Sequence, residues 1–502
     1  MKFKLKYWLF LIIFVKFNAQ NIDFTHCNAS LNLHFQEKKV SGKVEFLCQI
    51  NQSIDSVKID AVNMNINLLQ INGINSNFVN NKKQIVLFDG LKKGKNTISF
   101  FYEATPKQTL YFVGSGEKEQ IWTQGQGKYT SHWLPSFNDV NEKVIFNISV
   151  AYHQDFTVIS NGKLNSIKTR TTPNQQKIWF YEMQKPMSSY LVMLSIGKYF
   201  KRKLVTQQKT PLEFYLLEDN QEKFDYTYKY SKEIFDFLEQ KMGYPYPWEI
   251  YKQVPAQDFL YAGMENTTAT IFSQDFVVDK IGFNDRNYLN VNAHELAHQW
   301  FGNLITAKSG EHHWLQEGFA TYFAALSDKN ILGTDHFYFK MYETANQILQ
   351  SEKTDTIPVM NPKASSLSFY QKGAWALFYL NEKIGDVKFD LIIKNYLKKY
   401  AFKNVTTQDF FNEIEKVTPF NTKEFEKKWL KSNQFPKEDA LLILNKNPNI
   451  KEYLNILELY NQPFTQKKDL LLQKLKTIDI EAISEEILFQ IKKEKSEDQK
   501  EF

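Results

Sequence analysis

Hydrophobic and polar positions alternate along the first two hundred residues of the chain, and beyond them the period lengthens to that of a helix. Between about 21 and 205 the alternation runs through stretches such as Asn28-Ala29-Ser30-Leu31-Asn32-Leu33-His34-Phe35, Gly42-Lys43-Val44-Glu45-Phe46-Leu47 and Lys143-Val144-Ile145-Phe146-Asn147-Ile148. Successive side chains on a strand point to opposite faces, so a period of two marks strands with one face buried. Such strands, separated by Asn, Gly and Lys turns, imply antiparallel sheet rather than alternating strands and helices. From about 206 the apolar residues recur every three or four positions, which predicts helices over 226–242, 285–304 and 315–326 and further helices to about 430. A short strand is expected at 269–272. The expected architecture is α+β and multidomain, because 502 residues exceed what one core serves. It comprises an antiparallel β domain at 20–205, a mixed α+β domain at 206–436 and a short helical segment at 437–502. That last segment includes the amphipathic runs 440–444 and 470–475.

The first nineteen residues follow a different pattern. Lys2, Lys4 and Lys6 precede an apolar run from Trp8 to Val15, and Ala19 offers a small residue for cleavage, which reads as a secretory signal. Eight apolar residues fall far short of the roughly twenty that span a bilayer. The expectation is therefore export to a periplasmic or extracellular space, with no stable membrane anchor after cleavage. Removal of this leader takes away four lysines and no acid, so the net charge falls from +6 to +2. A near-neutral surface with interspersed signs gives no electrostatic basis for binding nucleic acid. The two cysteines, Cys27 and Cys48, are symmetric about a polar turn near 36–41, and in an oxidising compartment they are a disulfide candidate. A bridge there would close a 22-residue loop and stabilise the fold by about 3 kcal/mol. A bulge in either strand would abolish the pairing.

Chemistry concentrates between 294 and 317. His294 and His298 are four residues apart, so on a helix they lie about 40° from one another around the axis and offer two imidazoles to one ion. Glu295 follows the first histidine directly and can reach a water beside the metal without competing for it. Glu317, nineteen residues after His298, can return on a second helix as a third ligand. Two histidines, one carboxylate and an open position describe a catalytic rather than a structural Zn²⁺ site. His312 and His313 precede that second helix and are expected to be loop histidines without a chemical role.

The wider context resembles the M1 family of zinc aminopeptidases, whose catalytic domain is thermolysin-like. The likeness rests on His298-Gln299-Trp300-Phe301-Gly302-Asn303, on Trp314-Leu315-Gln316-Glu317-Gly318-Phe319-Ala320 and on Ala262-Gly263-Met264-Glu265-Asn266, the family's GxMEN segment. Tyr370-Gln371-Lys372-Gly373-Ala374 is similar to the segment that carries the family's catalytic tyrosine. The resemblance implies one zinc ion on His294, His298 and Glu317, with Glu295 as general base and Tyr370 stabilising the oxyanion. It implies further that Glu265 holds the free amine of a peptide, with Gly263 and Met264 beside it and Gln126 contributing from the β domain. Gln at 126, within Thr123-Gln124-Gly125-Gln126-Gly127, resembles the leukotriene A4 hydrolase-like branch. Tyr261 is expected to wall the pocket for the first side chain. Family members usually carry a large helical C-terminal domain, of which only a short segment is expected here. The implied activity is removal of N-terminal residues from peptides with a free N-terminus. A zinc endopeptidase and an inactive peptide-binding protein on the same scaffold are the alternatives.

Overall fold

The computed structural model describes residues 21–52, 54–170 and 175–460. The leader and the run at 470–475 lie outside the described residues. Strands Ile22–His34 and Lys39–Ile50 form a long antiparallel hairpin at the centre of a nine-stranded sheet. On the second strand Val40, Gly42, Val44, Phe46, Cys48 and Ile50 are buried in strict alternation, which is the period of two read from the sequence. One pairing in this sheet is parallel, between Ile22–His34 and Lys143–His153, so the domain is mainly rather than wholly antiparallel. A four-stranded sheet ordered Thr157–Ser160, Leu194–Gly197, Gln120–Thr123, Leu110–Val113 accompanies it.

The hairpin register decides the cysteines. A bulge between Phe24 and His26 sets Cys48 opposite Phe24 and Cys27 opposite Phe46. The two residues are then diagonal neighbours, their Cα atoms about 7–8 Å apart, beyond the Cα separation that a disulfide spans. Both are free and buried, in place of the disulfide expected from their symmetry. Burial raises both thiols, Cys48 to about 12, so neither is a nucleophile at neutral pH. Unfolding the protein without reductant should expose two titratable thiols; finding none would restore the bridge.

The second domain begins with a new sheet. Strands Tyr199–Val205, Pro211–Leu217, Tyr251–Ala256, Ala269–Ser273 and Gly263–Met264 lie in that order. By sheet membership the change falls between Gly197 and Tyr199, ahead of the change of period near 206. Gly263–Met264 is the edge strand, paired on one side with Ala269–Ser273. Helices close over the sheet. Ser231–Met242 starts later than the period suggested, after the turn at Tyr228, and ends at Gly243 in a left-handed conformation. The histidine helix is also shorter than expected, Leu289–Ala297. It ends because His298 Nδ1 engages Phe301 O at 2.8 Å and Asn303 N donates to His298 O, drawing the chain into tight turns. The apolar run Trp300–Leu304 is buried in those turns rather than on a helix. Trp314–Leu332 extends one turn and more beyond the expected end and stops at Gly333.

The two domains share a hydrogen-bonded seam behind the edge strand. Asn161 Nδ2 donates to Thr267 O at 2.7 Å, and Gly162 N donates to Thr268 Oγ1 at 2.7 Å. Gln120 Nε2 reaches Pro255 O and Trp122 Nε1 reaches Gln257 O, each at 2.9 Å. Lys143 Nζ reaches Thr306 Oγ1 at 2.6 Å, its pKa lowered by burial to about 7. No described helix is long and apolar enough to cross a membrane.

Candidate active site

His294, on the last turn of its helix, and His298, the residue just past its end, face one another, their Nε2 atoms 3.0 Å apart. Glu317, from the first turn of Trp314–Leu332, brings Oε2 to 3.5 Å and 3.2 Å from these two nitrogens. The contact between His298 Nδ1 and Phe301 O orients that ring and leaves Nε2 free for a ligand. The two imidazole nitrogens converge on one point, and both Glu317 oxygens are buried without a hydrogen bond. A buried carboxylate in that state demands a cation. The donor set of two nitrogens and one oxygen, all within 4.8 Å of one another, fits the ion expected from the sequence. The electrostatics agree. Burial works against a charge on His298, yet Glu317, Glu265 and Glu295 together push its pKa up to about 10. Burial likewise opposes ionisation of Glu317, but the charge on His298 and the three neighbouring imidazoles hold its carboxyl well below the usual range.

Glu295 is buried beside these ligands with its side chain against the edge strand. A Cβ on Gly263 would stand 2.5 Å from Glu295 Oε1 and 2.6 Å from its Cγ, so glycine there makes the room that the carboxylate occupies. Burial raises the pKa of Glu295; His298 offsets this in part, while Glu265 and Glu317 add to it. Tyr370 sits on a π-helical turn, Ser368–Lys372, a distortion frequent at functional sites. Its ring stacks on His294, 5.4 Å between centroids and 5° from parallel. The turn is held by contact between Gly318 and Gly373, where a Cβ on either residue would meet the other's backbone at 3.0 Å. Because Gly318 follows Glu317 directly, this crossing ties the tyrosine segment to the third ligand.

Glu265 is buried at the far side of the cluster, its pKa raised mainly by burial. Its backbone carbonyl is fixed by Asn303 Nδ2 at 2.7 Å and Gln299 Nε2 at 3.2 Å, both from turns that follow the histidine helix. A cavity of about 930 Å³ opens in front of it, lined among others by Gln126, Tyr190, Glu265, His313, Gln316 and Phe369. Gln126 is thus brought to the same cavity as Glu265. Met264 is buried beneath it, its sulfur 3.7 Å from Gln124 Nε2. Tyr261 stands 54% exposed on the loop that precedes the edge strand.

Sequence reasoning passed over three residues. Tyr190 lines the cavity from the β domain and accepts from Gln316 Nε2 at 3.3 Å. Gln316 also accepts from Ala307 N at 2.9 Å. His313, expected to be a bystander, lies 3.3 Å from Glu317 Oε1 and four residues ahead of it, a spacing that was visible in the sequence. His312 does stand apart, its Nδ1 3.1 Å from Thr407 Oγ1.

Comparison with known proteins points the same way. Residues 24–191 match the Peptidase M1 N-terminal domain, and residues 226–429 match the Peptidase family M1 domain. Glutamyl aminopeptidase of Sus scrofa is 27% identical over 330 residues, covering 60% of this chain and 33% of the relative. The human glutamyl aminopeptidase is 26% identical over 389 residues, 72% of this chain and 39% of the relative. Leucyl aminopeptidase of Saccharolobus solfataricus is 25% identical over 422 residues, 81% of this chain and 53% of the relative. The matched region thus spans a third to about half the length of these relatives. With both domain types matched in order around the histidine and glutamate cluster, the chain belongs to peptidase family M1.

Proposed function

We propose that this protein is a zinc-dependent aminopeptidase that hydrolyses the first peptide bond of peptides with a free N-terminus. His294, His298 and Glu317 hold the ion. Bound there, Zn²⁺ supplies Lewis acidity toward the attacking water and the scissile carbonyl. Glu295 takes the proton of the attacking water on its carboxylate and delivers it to the departing amine. Its burial and its fit against Gly263 keep that carboxylate in one place. The phenol of Tyr370, oriented by stacking on His294, donates to the oxygen on which negative charge develops.

One observation carries the choice of an exopeptidase: Glu265 is a buried carboxylate facing the cavity beside the ligand cluster. A peptide's α-ammonium placed there neutralises it, and the fixed backbone around Glu265 sets how far the amine stands from the bond to be cut. An internal segment of polypeptide offers no such cation. The relatives carry names of glutamyl and leucyl aminopeptidases, in keeping with this reading. The leader-like start of the sequence supports export, with peptides outside the cytoplasm as substrates.

Aminoacyl fluorogenic substrates should be cleaved by the purified protein, and a chelator should stop the reaction. Acetylating the substrate's amine should abolish cleavage. Glu265→Ala should impair substrates with a free amine strongly while leaving the metal content unchanged. Hydrolysis of blocked peptides at internal bonds at a comparable rate would instead indicate an endopeptidase.

A further inference from the structure

His313 has no place in the chemistry above and yet touches it. It lies one turn ahead of Glu317, and its Nε2 stands 3.3 Å from Glu317 Oε1. The ligand histidines approach the other oxygen, Oε2. Glu317 therefore presents one oxygen to the ion-binding space and the other to a third imidazole. Both oxygens are buried and neither has a hydrogen bond of good geometry, a state that a buried carboxylate does not tolerate without cost. An ion held by His294, His298 and Glu317 would draw on Oε2, the oxygen those histidines approach, and would leave Oε1 in need of a donor. His313 is held for that task from its other side, its ring edge-on to Phe369 with centroids 5.0 Å apart.

We propose that His313 is a positioning residue for the metal. With its proton on Nε2, it donates to Glu317 Oε1 and pins the carboxylate so that Oε2 alone faces the ligand histidines. A carboxylate has two equivalent oxygens and a free terminal torsion, so without a fixed partner it can swing away and release the ion. The local spacing serves this geometry, since residues four apart on a helix face the same side. The inference rests on the metallopeptidase reading, but its test follows the metal rather than peptide hydrolysis.

His313→Phe keeps a ring against Phe369 and removes both nitrogens; His313→Leu is a second nitrogen-free variant; His313→Gln restores an N–H donor. The full-length proteins are loaded with Zn²⁺, mixed with excess chelator, and zinc loss is followed in time. Melting temperatures are compared in the metal-free state. The two nitrogen-free variants should weaken zinc retention about 10–100-fold, and His313→Gln should recover most of it. All should melt alike without metal. Zinc held by His313→Phe as long as by the parent protein overturns the proposal. So does a His313→Gln variant as leaky as His313→Phe, since shape rather than a donor would then matter. A parent protein that takes up no zinc fails the metallopeptidase reading itself, and shows it before any variant is compared.

Discussion

Glu295→Gln should lower kcat by at least about 10²-fold, the lower range for loss of a general base, while the metal content stays at one ion per chain. The amide matches the carboxylate in size, which matters because the side chain is packed against Gly263 with no room to spare. Shape is therefore kept and only proton acceptance is lost. Glu295 is next to His294 in sequence but is not among the three grouped ligands, so the substitution should leave the metal in place. Kinetics on a free-amine substrate together with metal analysis test this. A near-normal kcat with the metal bound would remove Glu295 from the mechanism.

Tyr370→Phe should lower kcat by about 10²–10³-fold with KM little changed, the signature of a donor that acts on charge present only in the transition state. Phenylalanine can keep the stacking on His294, so the ligand geometry should survive. The contact of Gly318 with Gly373 holds the π-helical turn independently of the hydroxyl. If KM rose while kcat held, Tyr370 would be a binding or packing residue instead.

What the sequence made legible was local. His294 and His298 converge because four residues make about one helical turn, and that needs no knowledge of the fold. Strand alternation from Lys39 to Ile50 was equally plain, because each side chain's face depends only on its parity. Features set by tertiary contact were less visible. The apolar run through Trp300 and Leu304 continues the helical period, yet the engagement of His298 with Phe301 O ends the helix first. The cysteine pairing failed on a single extra residue near Thr25, which no pattern of hydrophobicity announces. His313 was overlooked for a different reason. Its spacing from Glu317 was on view, but a complete set of three ligands leaves no reason to ask what holds the ligands themselves.

The seam between the domains bears on how such a chain can be altered. The backbone that carries Glu265 is fastened to the β domain on its far side, through Asn161 to Thr267 O, Gly162 to Thr268 and Asn266 Nδ2 to Leu191 O. Tyr190 reaches from that domain into the cavity itself. Two stretches that match separate family descriptions are thus one inheritance around Glu265. A chimera that joins this β domain to a relative's peptidase domain would exchange half of a mutually fitted joint. Homologous recombination in this family should succeed where both faces of the joint travel together, and drift on one face should be answered on the other.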